Sequence, residues 1–254
     1  MAVGELAEDQ MKKETVEIQK ELFSNNKSKV AKYQDLIIGQ QGFFKLLKYE
    51  IVISFCSWVP GAFGLLLRSK LFPLLLGRVG KNVTFGQNVV LRHPHKIHIG
   101  NNVVIDDNCV LDTKGKDNSG IKIGDGVFVG RNTILSCKNG DIELADNVNI
   151  GFNCEIFSAN KVTLGEHALL AAYCYLIGGD HDFENADVSV LEQSRSSRGI
   201  TLGEDVWLGA GVKVMDGLTI GKHAIIGTGA VVTKPIEAYS VAMGVPAKII
   251  RKRK

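Results

Sequence analysis

The sequence has little net charge, no CxxC pair and no uncharged run comfortably long enough to cross a membrane. Each shortage narrows the field. Lys and Arg number 30 against 27 Asp and Glu, a formal net charge of +3, so no nucleic-acid partner is expected. The one concentrated basic run, Arg251, Lys252, Arg253 and Lys254, suits phosphate groups, anionic head groups or plain solvation. Five cysteines (Cys56, Cys109, Cys137, Cys154 and Cys174) are odd in number, and no secretory signal precedes them. That pattern predicts a reducing, cytoplasmic setting rather than a disulfide scaffold. Residues 51–67 carry no charge, but they sit at the lower limit for a bilayer span and Pro60-Gly61 interrupts them, which argues against a straight transmembrane helix.

What is present in quantity is a period of six. An aliphatic residue followed by glycine recurs at Val79-Gly80, Phe85-Gly86, Ile99-Gly100, Ile123-Gly124, Val129-Gly130, Ile150-Gly151, Leu164-Gly165, Leu202-Gly203, Leu208-Gly209, Ile220-Gly221 and Ile226-Gly227. In triplets the ladder reads 79/85/91, 99/105/111, 123/129/135, 144/150/156, 164/170/176, 202/208/214 and 220/226/232, and every position except Phe85 is Ile, Leu or Val. A small or β-branched residue stands four positions on, as at Val89, Cys109, Thr133, Cys154 and Cys174, so these cysteines read as core rather than as nucleophiles. Residues two apart on a strand share a face, so both positions point into a narrow three-sided prism whose coils stack in parallel. Glycine after the ladder residue is read as easing a tight corner. Longer steps between triplets all leave from one corner, and the longest, between Leu176 and Leu202, holds His181.

These residues resemble the hexapeptide repeat of the left-handed β-helix acyltransferases, [LIV]-G-x-x-[STAV]-x, over roughly residues 79–234. The resemblance implies an all-β solenoid, a left-handed parallel β-helix of about seven coils, working as a homotrimer. The chain then divides into an N-terminal helical, apolar segment (1–78), the β-helix catalytic domain (79–234, with a loop at 177–199) and a C-terminal coenzyme-contacting tail (235–254). Residues 5–35 read as helix, and the apolar residues 43–77 as two short helices around the Pro-Gly break. Two compatible roles are open for the latter. They could lie on the inner face of the cytoplasmic membrane, with Lys45, Lys48, Arg68 and Lys70 near head groups, or they could cover the open end of the solenoid.

Within the family the sequence is similar to the galactoside and maltose acetyltransferase branch, in the loop Gly178-Gly179-Asp180-His181-Asp182-Phe183 and the later Asp205-Val206-Trp207-Leu208-Gly209. Transfer from a thioester requires that the acceptor lose a proton as it attacks, which suits an imidazole; His181 is the candidate general base. Asp180 and Asp182 could orient it, bind acceptor or merely be solvated. The resemblance implies acceptor contacts from Asn153, Glu155 and Trp207, and an oxyanion donor in the backbone near Gly209 and Ala210. It also implies that acetyl-CoA lies along Gly209, Ala210 and Thr228, with Thr233, Lys234 and Arg251 at its phosphates. Two positions depart from the branch: Asp216 replaces a usual proline, and Pro235 follows Lys234 where an acidic residue is common. His93, His95 and His98 cluster on one early corner, unlike a ligand set drawn from successive coils, so no metal is expected. His167 and His223 read as surface residues. The leading expectation is O-acetylation of a sugar or polysaccharide precursor; the alternatives are N-acylation of an amino sugar and a non-enzymatic β-helix scaffold.

Overall fold

A computed structural model describes residues 27–253 together with the backbone of the strand Lys12–Glu14. Three parallel sheets form the walls of a prism. The first face stacks Arg78–Val79, Ile97–Ile99, Ile121–Ile123, Asp141–Leu144, Lys161–Leu164, Ile200–Leu202 and Leu218–Ile220. The second begins at Thr84–Phe85 and runs through Trp207–Leu208 and Ile225–Ile226 to Ser240–Met243. The third holds Val90–Arg92, Val110–Asp112, Ile134–Cys137, Glu155–Ser158, Tyr175–Gly178, Lys213–Val214 and Val231–Val232. Seven coils are complete, and Ile236 with Ser240–Met243 begins an eighth. The fold is the left-handed parallel β-helix expected from the sequence.

The ladder positions meet in register. Leu91, Leu111, Leu135, Ile156, Leu176, Val214 and Val232 pair in sequence up the third face, and each is buried. Such columns remove apolar area from water at every step, which is the main force holding stacked coils together. The cysteines of the four-on positions lie inside: Cys109, Cys154 and Cys174 are buried and free.

The glycines have a different job from the one expected. Left-handed backbone falls three residues after the ladder position, not one, at Asn82, Asn88, Asn102, Asn108, Asn132, Asn147 and Asn153, with φ of 55–60°. Asparagine tolerates that conformation because its short amide can bond locally. Gly165 has no such φ; a Cβ there would lie 2.5 Å from the carbonyl carbon of Gly203 in the next coil. The ladder glycines therefore let adjacent coils approach closely.

The N-terminal helices Phe43–Cys56 and Gly61–Leu71 break at Pro60 as expected and close the first coil. Phe72 stacks edge-on against Phe85 at 5.3 Å, Tyr49 donates its hydroxyl to the Leu91 carbonyl (2.8 Å), and Val52 and Cys56 are buried beneath. Arg68 is not at a head-group surface. It is 1% exposed, and its guanidinium donates to the carbonyls of Cys56 (3.0 Å) and Val59 (2.6 Å), at the helix break, and of Phe85 (2.9 Å), on the end strand of the second face. Lys45, Lys48 and Lys70 are exposed. Of the expected helix over 5–35, the described residues show helix only at Lys29–Tyr33, continued by a π-helical turn at Gln34–Ile38. Lys12–Glu14 is instead a strand, paired antiparallel with Arg195–Ser197; residues 5–11 and 15–26 lie outside the described residues.

Candidate active site

The long excursion leaves the third face after Gly178 and folds back as an antiparallel hairpin, Asp180–His181 against Arg195–Ser197. The register sets Asp180 opposite Ser196 and His181 opposite Arg195. Ser197 fastens the hairpin to the prism through its hydroxyl, which donates to the Gly178 carbonyl at 3.0 Å. Asp216, the residue standing where the branch has proline, anchors the return: its carboxylate accepts from the backbone N–H groups of Arg198 (2.7 Å) and Gly199 (2.9 Å). The departure is thus a structural clasp.

Hairpin and third face enclose a cavity of about 240 Å³, lined by Lys138, Phe157, Tyr175, Ile177, His181 and Arg195 among others. Phe157, Tyr175 and Ile177 point outward because they alternate with the buried ladder residues Ile156 and Leu176. The Nδ1 of His181 and the Nε of Arg195 are buried without a hydrogen-bond partner. Buried polar atoms are nearly always paired, so two unpaired nitrogens at one cavity single it out as a candidate ligand site; a third, His95 Nδ1, lies at the early corner. Burial, helped by Glu155, raises the pKa of the Tyr175 hydroxyl.

Neither expected carboxylate touches the imidazole. Asp180 accepts the backbone N–H of His181 at 2.8 Å, and Asp182 accepts the Ser196 hydroxyl at 2.8 Å. Glu155 pairs with Tyr175 across the third face, next to the cavity, and Asn153 sits at the preceding left-handed corner. Trp207 lies elsewhere: it is on the second face, between Leu169 and Ile225, and 46% exposed.

The coenzyme candidates form a separate strip. Gly209 and Ala210 stand at the corner between second and third faces, and Thr228 follows one coil later. The Gly209 N–H is consumed by the Ile226 carbonyl (2.8 Å), so of the two expected oxyanion donors only that of Ala210 is outside this ladder bond. Thr233 and Lys234 are exposed at the end of the seventh coil, and Arg251 is exposed on the strand Lys248–Lys252 that turns back against Ser240–Met243. The basic tail is only partly solvated: Lys252 meets Glu237 at 2.6 Å and Arg253 meets Asp205 at 2.9 Å.

His223 shares Asp205 with Arg253, through Nδ1 at 3.1 Å, and stacks on Tyr239; His167 pairs with Glu166. At the early corner His93 is bonded through Nε2 to the Asp35 carbonyl (2.8 Å) and stacks near His95, so these rings join the helical cap to the first coil. Burial depresses the pKa of both. Lys138 and Arg195 were missed by the sequence reading. Lys138 follows the third-face ladder residue Leu135 by three, a signal available in the spacing; Arg195 lies in the aperiodic loop and carries none.

Comparison with known proteins agrees with this architecture. A model described as bacterial transferase hexapeptide (six repeats) matches residues 199–234, and one described as hexapeptide repeat of succinyl-transferase matches residues 78–113. WbbJ of Escherichia coli, by name a lipopolysaccharide biosynthesis O-acetyl transferase, is 30% identical over 151 residues, 57% of this chain and 76% of that protein. The galactoside O-acetyltransferase of Escherichia coli is 35% identical over 111 residues, covering 44% of this chain and 54% of that protein. An acetyltransferase of Mycobacterium tuberculosis is 30% identical over 133 residues, 52% of this chain and 44% of its own length. The chain thus spans about half the length of these last two relatives. Among solved structures, AntD, an N-acyltransferase from Bacillus cereus in complex with dTDP and coenzyme A, superposes with a TM-score of 0.54 at 18% identity, over 79% of this chain and 92% of that one. The polySia-specific acetyltransferase NeuO gives 0.51 at 22% identity, over 70% and 82%. Both likenesses show the fold. With the repeat, its register and these relatives together, the chain belongs to the hexapeptide-repeat acyltransferase family.

Proposed function

We propose that the protein transfers an acetyl group from acetyl-CoA to a hydroxyl of a sugar or polysaccharide precursor, with His181 as general base. The observation that carries this reading is the imidazole at the cavity wall with its buried Nδ1 unpartnered. In the reaction the acceptor hydroxyl gives its proton to the imidazole while its oxygen attacks the thioester carbonyl. The resulting oxyanion is held by a backbone N–H, and collapse expels the coenzyme thiolate, which takes the proton back from the imidazolium. No acyl-enzyme is needed. The names of WbbJ and the galactoside enzyme favour a saccharide hydroxyl as acceptor.

Within one chain the imidazole stands on the side hairpin and the expected coenzyme residues at the corner between second and third faces, so a complete site takes that corner from a neighbouring copy against this hairpin. A homotrimer supplies that arrangement with three equivalent sites. The deciding experiment mixes His181→Ala with a variant blocked at the strip, Ala210→Trp. Each alone is inactive, and the mixture, after subunit exchange, regains acetyl transfer from hybrid sites. An active His181→Ala protein overturns the base assignment, and a mixture that stays inactive although light scattering shows mixed trimers overturns the shared site.

The cap has an outward side as well. Phe43, Phe44, Ile51, Phe55, Trp58 and Phe63 are each at least 48% exposed, with Lys45, Lys48 and Lys70 around them. No helix of the described residues is long and apolar enough to cross a membrane. Large exposed aromatics flanked by lysines suit the interface of an anionic bilayer, which would bring the enzyme to a lipid-linked acceptor. Pelleting with phosphatidylglycerol vesicles but not phosphatidylcholine vesicles, lost in Phe55→Asp, is the expected result; equal recovery in the supernatant with both overturns it.

A further inference from the structure

The cavity beside His181 holds more positive charge than removing a proton requires. Lys138 and Arg195 both line it, and among its described lining residues Asp180 is the only carboxylate. That carboxylate is turned back onto the hairpin's own backbone, at the His181 N–H. Of the carboxylates nearby, Asp182 is taken by the Ser196 hydroxyl, and Asp112, the acid that acts on Lys138 from below, by Lys114 at 3.0 Å and Arg92 at 3.5 Å; Glu155 acts on the Tyr175 hydroxyl, and Glu14 stands opposite Arg195 in the strand register.

Arg195 forms no ion pair among the described residues, and its Nε is buried without a partner. Burial first, and then the Arg195 charge, pull the Lys138 ammonium below its ordinary pKa. Two cations lining one partly desolvated cavity are a costly arrangement unless an anion joins them. The register adds a distance. His181 and Arg195 are directly opposed across the hairpin, which sets their Cβ atoms about 4.5–5.5 Å apart. An anion held by Arg195 therefore brings a hydroxyl of the same ring to the imidazole. Phe157 and Tyr175 offer flat apolar cover to a sugar face.

We propose that the acceptor is an acidic sugar, whose carboxylate or phosphate is bound by Arg195 and Lys138 while a neighbouring hydroxyl meets His181. The inference rests on the acyl-transfer reading for the role of His181, but the binding of the anion does not depend on it.

The test is calorimetric titration, without coenzyme, of the full-length protein with D-glucuronate, D-galacturonate, N-acetylneuraminate and glucose 6-phosphate, each beside a neutral counterpart such as methyl glucoside. At least one acid binds about tenfold or more tighter than its neutral partner, and Arg195→Gln removes that preference, as expected for a charge-assisted hydrogen bond. Lys138→Gln weakens it in the same direction, and Arg195→Lys restores part of it. His181→Ala keeps the preference while losing acetyl transfer, which separates this proposal from the general-base reading. Thermal melts establish that each variant is folded. The proposal is overturned if no acid is preferred, if the preference survives in Arg195→Gln, or if Arg195→Gln instead weakens acetyl-CoA, which would give the anion to the coenzyme.

Discussion

Along the third face, Leu91, Leu111, Leu135, Ile156, Leu176, Val214 and Val232 repeat one chemistry seven times, every side chain buried and every strand paired on both sides except at the ends. In the hairpin that leaves this face no two residues are equivalent, only Ser197 of the paired segments is buried, and two nitrogens at the cavity have no partner. The difference shows a division of labour. Stability comes from the part that repeats, where each coil buries the next. On the proposed function, chemistry is placed in the part exempt from the repeat, where unsatisfied polar groups are tolerated because a rigid wall carries them.

Substitutions can break or sharpen that contrast. The largest effect is expected at His181→Ala, which lowers acetyl transfer about 10²–10⁴-fold while leaving the thermal midpoint unchanged, as a residue outside the stacked columns should. Steady-state assays beside thermal melts check both halves. Leu135→Ala, in the middle of a column, does the reverse: a loss of about 2–5 kcal/mol in denaturant unfolding, with the native fraction keeping its turnover. Arg68→Met tests the cap. It leaves buried carbonyls without donors, and water reaches them only from the Val59 side, so a cost of about 1–3 kcal/mol is expected, read as loosened hydrogen exchange over residues 43–71 before the prism responds.

The smallest effect belongs to Asp205. The hydrogen bond from His223, reinforced by Arg253, holds its carboxyl below the ordinary carboxylate range. A folded-state pKa that is depressed stabilises the protein above the unfolded value near 3.9 and ceases to do so as pH falls through the folded value. The pair is largely exposed, so Asp205→Asn should cost below about 1 kcal/mol at neutral pH, and the gap from wild type should close in acid. Urea titrations across the pH range measure it; a gap that widens below pH 4 would reverse the assigned sign.

The prism was legible because a hexapeptide period samples the same three walls over and over. An error at one position is outvoted by the others, and Phe85 could stand among aliphatics without obscuring the column. The function of the ladder glycines was not legible, since spacing marks that a side chain is missing without saying whether a torsion or a neighbouring coil forbids it. Arg68 was misread for a related reason: a cation in an apolar run looks like a surface residue until the broken helix and the first coil show three carbonyls converging on it. Around the cavity, His181 stood out by its loop and its resemblance, whereas Arg195 reaches it through a hairpin register that no periodicity encodes. Trp207 and the residues expected at the coenzyme fall on the coils that the six-residue spacing assigns them, yet a linear reading cannot tell which of three walls will confront a given side loop.

Both raw ends of the ladder are finished, and with unlike materials. At one end helices sit over Phe85; at the other Lys248–Lys252 runs back against its neighbour and presents Lys248, Arg251 and Lys252 along the last edge. At that second end any further strand would meet the Lys248 and Arg251 side chains beside the backbone edge. Edge-to-edge addition there has to bring a strand against positive charge, a device that protects an open sheet edge.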